Sequence, residues 1–287
     1  MREYIVFLKK ELFESAKTYK LFILGAVFLI FGIMSPLTAV LMPEIMQWAM
    51  ESDPSTAGMD LSALFGDPAA LDSWAQFYSN IQIGLIIFVI VFSGMLSSEI
   101  SRGTLTIMLT KGLSRSAAIL SKLTAAALIW TGSLLISFLT SWGYTVFLFP
   151  GDSLPNVFFA LFCLWVFGVF LLALTAFMAA LTIKSMYCML AVGAAVIVLN
   201  IINIIPMVGR YNPATLLGSP MALLARAADP RNIYPALIVA AVCIIALTLF
   251  AVIKFSQKKS AKMPVILTVA VLAGLSLTVF FGDFFYQ

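Results

Sequence analysis

Residues 157–183 read VFFALFCLWVFGVFLLALTAFMAALTI, a run without Asp, Glu, Lys or Arg. A helix needs about 20 mainly apolar residues to cross the ~30 Å hydrocarbon core of a bilayer. A spanning strand would be about 10 residues of alternating polarity, whereas this run is apolar on every face. The stretch therefore predicts a transmembrane α-helix.

Working outward, similar runs recur at about 21–43, 79–98, 123–149, 185–205, 235–253 and 264–282. The run at 185–205 is the most polar at its outer end, and 264–282 is short and opens on Pro264. Across its 287 residues the chain is 62% hydrophobic and 10% charged, with a mean hydropathy of +1.06. A soluble domain carries roughly 25% charged residues. The expected fold class is all-α: a polytopic membrane protein with six to seven transmembrane helices and an N-terminal interfacial amphipathic helix. The first run is too long for a signal h-region and follows a charged segment, so it is expected to be retained as a span.

Charge orients the spans. With the N-terminus inside, every base except Arg210, Arg226 and Arg231 falls on the inner segments, which the positive-inside rule assigns to the cytoplasm. The formal charge of +4 and the pI near 9.0 then point to anionic lipid headgroups as the partner, not to nucleic acid.

Residues 1–20 form the interfacial segment. They place Ile5, Leu8, Leu12, Ala16 and Tyr19 on one helical face and Lys10, Glu14 and Lys17 on the other, with Val6 and Phe7 breaking the pattern. The core of spans covers 21–255. Its outer segment 44–78 is punctuated by Pro, Gly and Asp and predicts short helices joined by turns, with Trp48, Trp74 and Tyr78 near the interface. The outer segment 206–234 carries Pro206, Pro213, Pro220 and Pro230 and cannot be one continuous helix. Pro36 is expected to bend the first span.

What the spans lack narrows the chemistry. No acid or base sits in mid-span, which argues against an ion-coupled transporter. There is no histidine, so zinc-protease motifs and a Ser-His-Asp triad are excluded, and no paired intramembrane carboxylates are present. Scattered Met and the lone Cys163, Cys188 and Cys243 read as packing, and no metal site is expected. Ser137 and Ser141, among the hydroxyls of the third span, and Asn200 with Asn203 in the fifth are candidates for a pathway or for interhelical hydrogen bonds. Gly25, Gly32, Gly84, Gly94, Gly132 and Gly143 are expected close-packing points.

The densest polar run is SSEISRGTLTIMLTKGLSRSAAILSK, residues 97–122. Gly103 and Gly112 bracket about two helical turns, and Ser114 is a reasonable N-cap for the following span. Physics alone leaves two readings: a hairpin whose bases obey the orientation rule, or a stiff loop that docks a partner.

The run resembles the signature loop of ABC-2 type transporter permeases, in which Glu-x-x-x-Gly-Thr precedes apolar residues, a base and Ser-Arg. The matching positions are Glu99, Arg102, Gly103, Thr104, Leu105, Leu109, Lys111, Ser114, Arg115 and Lys122, while Gly112 stands where many relatives have proline. The resemblance implies a permease half that pairs with a second copy or a related permease. Two cytosolic ATP-binding subunits would dock beneath the pair, and most such systems export. It further implies that 1–20 is an elbow helix and that the 99–122 loop receives motion from the ATPase. A span at 264–282 would be additional to the usual six. The chain has no G-x-x-x-x-G-K-[ST] phosphate cradle, so ATP and Mg are expected on the partner subunit and no cofactor on this chain. A non-transporting immunity or regulatory protein and an uncoupled secondary transporter remain the alternatives.

Overall fold

A computed structural model describes residues 2–51, 68–101, 115–152, 154–182 and 184–256. Among these the chain is helical, without strands, in the order α1 (Arg2–Lys17), α2 (Lys20–Glu51), α3 (Ala70–Ser101), α4 (Arg115–Leu148), α5 (Val157–Leu181), α6 (Ser185–Ile202), α7 (Pro206–Gly209), α8 (Thr215–Leu224) and α9 (Tyr234–Ser256). A 3₁₀ turn, Pro230–Asn232, precedes α9. Six helices are long and apolar enough to cross a membrane: α2, α3, α4, α5, α6 and α9. The expected seventh span, 264–282, lies outside the described residues.

The helices outrun the apolar stretches that announced them. α2 continues to Glu51 and α3 begins at Ala70, so much of the segment expected as short helices and turns belongs to two long helices. Hydropathy marks where hydrocarbon ends; the backbone hydrogen-bond ladder continues until a breaker or an unfavourable sequence stops it. Trp74 and Tyr78 lie inside the bundle, 2% and 3% exposed. Trp48 remains on the surface. Pro36 and Pro43 both sit within α2, where Ser35 and Thr38 donate to the carbonyls of Phe31 and Met34. The proline-rich stretch after α6 breaks into α7, α8 and the 3₁₀ turn, as its ring constraints require.

α5 is the central helix. It packs against α3, α4, α6, α8 and α9, which explains why its sequence is apolar all round. α2 packs against α3 and α4. Trp130 of α4, fully buried, ties these layers together. Its ring meets Phe28 of α2 edge-on at 5.6 Å and Phe88 of α3 at 4.8 Å. Its Nε1 donates to the Trp165 carbonyl of α5 at 3.3 Å, while Trp165 Nε1 returns a bond to Thr131 Oγ1 at 2.9 Å. Lipid tails are as apolar as leucine, so close packing and interhelical hydrogen bonds of this kind hold a membrane bundle together.

Close approach is concentrated at few glycines. A methyl group on Gly168 would fall 2.2 Å from Trp130 Cε2, and one on Gly32 2.6 Å from the Ser137 carbonyl oxygen. Gly84 faces the Phe28 ring at 3.0 Å. Gly94 has only an ordinary contact, and Gly25, Gly132 and Gly143 meet nothing within 4 Å, so these four are not the close-packing points their place in the spans suggested.

Candidate functional site

α1 turns into α2 at Tyr19, whose positive φ of 58° supplies the left-handed residue that commonly ends a helix. This corner lays α1 against α4 and α2. The face α1 presents is not the one its apolar periodicity suggested. Phe7, Glu11 and Ser15 are buried and Tyr4, Leu8 and Leu12 partly so, whereas Ile5 and Tyr19 are exposed.

An ion pair explains the shift. Lys122 Nζ lies 2.8 Å from Glu11 Oε2, and both side chains are 2% exposed. Lys122 was expected in the loop, but α4 begins at Arg115, so Lys122 sits about two turns into a helix of membrane-spanning length. A buried lysine is tolerated only when paired, and the Glu11 carboxylate provides that pairing across 111 residues of sequence. Around it, Lys10 reaches Glu11 Oε1 at 3.3 Å and Glu14 at 3.1 Å. The Phe7 ring lies under Lys10 Nζ at 4.8 Å and Lys122 Nζ at 5.9 Å. Tyr4 donates to Thr124 Oγ1 at 2.6 Å, a second tie between the same helices. Burial alone would raise the Glu14 carboxyl; its hydrogen bond to Lys10 and the charges of Lys10, Lys122 and Lys20 outweigh that and hold it below the ordinary range.

The junction flanks the polar loop. Glu99 is in the last turn of α3 and Arg115 is the first residue of α4. Between them Arg102, Gly103, Thr104, Leu105, Leu109, Lys111, Gly112 and Ser114 lie outside the described residues. The Glu11–Lys122 and Tyr4–Thr124 contacts tie α1 to the first turns of α4.

The other candidate residues separate. Ser137 and Ser141 are fully buried on α4, without a hydrogen-bond partner for either hydroxyl, and Ser137 lies against Gly32 of α2. Asn203 accepts from Thr215 Oγ1 at 2.8 Å and joins the end of α6 to the start of α8. Asn200 is exposed and donates to the Val196 carbonyl of its own helix at 2.9 Å, so the two asparagines do not act as a pair. The buried amide that fastens this corner is Asn212, 0% exposed, which donates to the Leu199 carbonyl at 2.6 Å and accepts from Ala214 N–H at 3.0 Å. Its proline-rich surroundings read as an outer loop, which hid it. Asn212→Ala is expected to cost about 1–3 kcal/mol by orphaning buried backbone groups, against little for Asn200→Ala, as read by thermal unfolding in detergent.

Glu11 was equally hidden, although an acid at helical spacing from Phe7 and Ser15 was the available signal. Among the described residues no group of three or more His, Cys, Asp or Glu gathers to hold a metal.

The family model described as "ABC-2 family transporter protein" matches residues 5–238. The chain belongs to the ABC-2 family. The matched region begins within α1 and ends in α9, so it contains both Glu11 and Lys122 and all six membrane-length helices in whole or part. As an ABC-2 protein the chain is a multi-pass membrane transport component, of a family that generally works with a cytosolic ATP-binding subunit. No curated protein and no solved structure matches this ABC-2 chain at a significant level.

Proposed function

We propose that the chain is the membrane-spanning permease half of an ATP-driven exporter for a hydrophobic or amphipathic cargo. The observation that carries the reading is the ABC-2 match across the bundle, in a chain whose sequence holds no phosphate cradle of its own. Energy then comes from a separate cytosolic subunit that holds ATP and Mg, and the permease pairs with a second copy or a related chain.

The distribution of bases supports a cytoplasmic side for α1 and for the loop between α3 and α4. In this reading the ATPase engages Glu99, Arg102 and the residues through Arg115. Its closure on ATP displaces the adjoining ends of α3 and α4, and the Glu11–Lys122 pair makes α1 follow. The core then alternates between inward-open and outward-open arrangements, with Ser137 and Ser141 on the α4 face that separates from α2.

The test is co-purification of the tagged chain from its native membrane in mild detergent, with ATPase activity measured on the assembly. An ATP-binding subunit is expected to accompany the chain, and Glu99→Ala with Arg102→Ala to lower its recovery and its stimulated ATPase activity severalfold. An assembly in which both substitutions leave recovery and activity unchanged rejects this loop as the coupling element. Consistent absence of an ATPase rejects the exporter.

A further inference from the structure

At the end of the bundle away from α1, the end of α4, the start of α3 and the turn into α5 surround a cleft of about 520 Å³. That volume lies in the range of small-molecule sites, about 300–1,000 Å³. Its walls are aromatic and largely fixed. Trp74 is 2% exposed and packs 5.4 Å from Phe138, which lies 5.9 Å from Phe158. Phe159 is held edge-on by Tyr234 at 5.9 Å, and Trp142 completes the lining. Trp142 and Phe158 are 45% and 70% exposed, so the cleft is open at the surface.

Polar groups meet the rings on one side. Asp152 and Asn156 line the cleft, and among the described residues no lysine or arginine does. Asp152 Oδ2 accepts the Ala70 N–H at 2.9 Å, which fixes the carboxylate over the start of α3 and leaves it further acceptor capacity. Below it a hydroxyl bond between Ser73 and Thr145, 2.6 Å, ties α3 to α4.

The sign of the local charge follows from the helix ends. The N-termini of α3 and α5 each bring a partial positive charge of about half a unit. Asp72, which takes the Ala69 N–H at 2.9 Å, and Asp152 each bring a full negative one. Among these four contributions the balance is negative. An aromatic belt that merely anchors a protein at the membrane surface needs neither a recess nor a carboxylate set by the backbone.

We propose that this cleft binds an amphipathic cation, with its ammonium head against Asp152 and its apolar body across Trp142 and Phe158. An ammonium bound there gains the ion pair together with the faces of the surrounding rings. That such a ligand is transported rests on the exporter reading; that it binds does not.

The experiment titrates decyltrimethylammonium into the purified full chain in nanodiscs and follows tryptophan fluorescence. Empty discs and the uncharged decyldimethylamine oxide serve as references. Saturable binding is expected, about tenfold tighter for the cation. Asp152→Asn, which keeps an acceptor for Ala70 N–H, is expected to abolish the preference for charge, and Trp142→Ala to weaken both probes. If Asp152→Asn lowers the melting temperature, Asp152→Glu carries the test by retaining the preference.

Discs of choline-headed lipid and of an uncharged glycolipid identify the source of the ammonium. Weaker cation binding in the choline discs means that membrane lipid occupies the cleft, and equal binding means that the ligand arrives from solution. Equal affinity for the cation and the amine oxide, no saturable component beyond empty discs, or an undiminished preference in a well-folded Asp152→Asn chain overturns the proposal. No ATPase enters this assay, so its failure leaves the exporter reading untouched and failed co-purification leaves the cleft untouched.

Discussion

Replacing Lys122 by alanine will destabilise the folded bundle by about 3–5 kcal/mol, because it leaves the Glu11 carboxylate buried without its partner on α4. Glu11→Ala, which removes the carboxylate that Lys122 Nζ meets at 2.8 Å, is expected to destabilise in the same direction. The double substitution Glu11→Leu with Lys122→Met is expected to recover most of the loss, since an apolar pair of similar volume avoids the desolvation of both ions. The melting temperature in detergent checks the ordering of the three. A thiol-reactive fluorophore suits the measurement, because Cys163, Cys188 and Cys243 are all buried until the bundle opens.

The same variants separate stability from coupling. If α1 transmits motion, the apolar double variant will fold well yet show ATPase stimulation altered from the normal chain, because a hydrophobic contact slides where a hydrogen-bonded pair does not. Wild-type coupling in that variant would make the pair a structural tie only. Lys10 and the Phe7 ring adjoin the carboxylate, so part of the Lys122→Ala loss is recoverable by local rearrangement and the lower end of the range applies if Lys10 reorients.

Gly168→Ala is the second large effect. The new methyl group would sit 2.2–2.4 Å from Cε2, Cζ2 and Nε1 of Trp130, far inside contact distance. Overpacking typically costs about 1–3 kcal/mol, and a loss of about 3 kcal/mol or more is expected here because Trp130 is itself fully buried among Phe28, Phe88 and α5. Trp130→Phe shrinks the ring that the new methyl group meets and alone costs a cavity and the bond to the Trp165 carbonyl. The double variant is therefore expected to melt above Gly168→Ala, a non-additivity diagnostic of direct contact. Gly32→Ala, pressed on the Ser137 backbone, should also destabilise. Gly25→Ala, Gly132→Ala and Gly143→Ala meet nothing and are expected to be neutral or to add up to about 1 kcal/mol through helix propensity. Equal melting temperatures across the series would contradict the packing of α4 on α5.

This contrast among glycines shows what could be read in advance. Position within a span singled out Gly32 and Gly84 correctly and Gly25, Gly132 and Gly143 incorrectly, while Gly168 went unnoticed in the most apolar run of the chain. A glycine's neighbours depend on which face of its helix meets another helix, and six apolar helices of nearly uniform hydrophobicity carry little periodic signal to say which face that is. Asn200 and Asn203 make the same point. Their spacing implied a shared face, yet one bonds its own helix and the other reaches Thr215 at the start of α8.

The number of the described spans, the helical class and the breakage of the chain after α6 were determined by sequence alone. The bilayer imposes its thickness on any chain that crosses it, and proline imposes its ring, so both are local and one-dimensional constraints. The ABC-2 resemblance carried by the 97–122 run was likewise legible, because a short motif survives without knowledge of its surroundings. Tertiary structure alone decided the buried face of α1, the place of Lys122 inside α4 and the aromatic cleft beside Asp152. Each depends on a partner distant in sequence: a lone charge in an apolar helix is prohibitive by itself and tolerable only once the opposite charge, 111 residues away, has been brought to 2.8 Å.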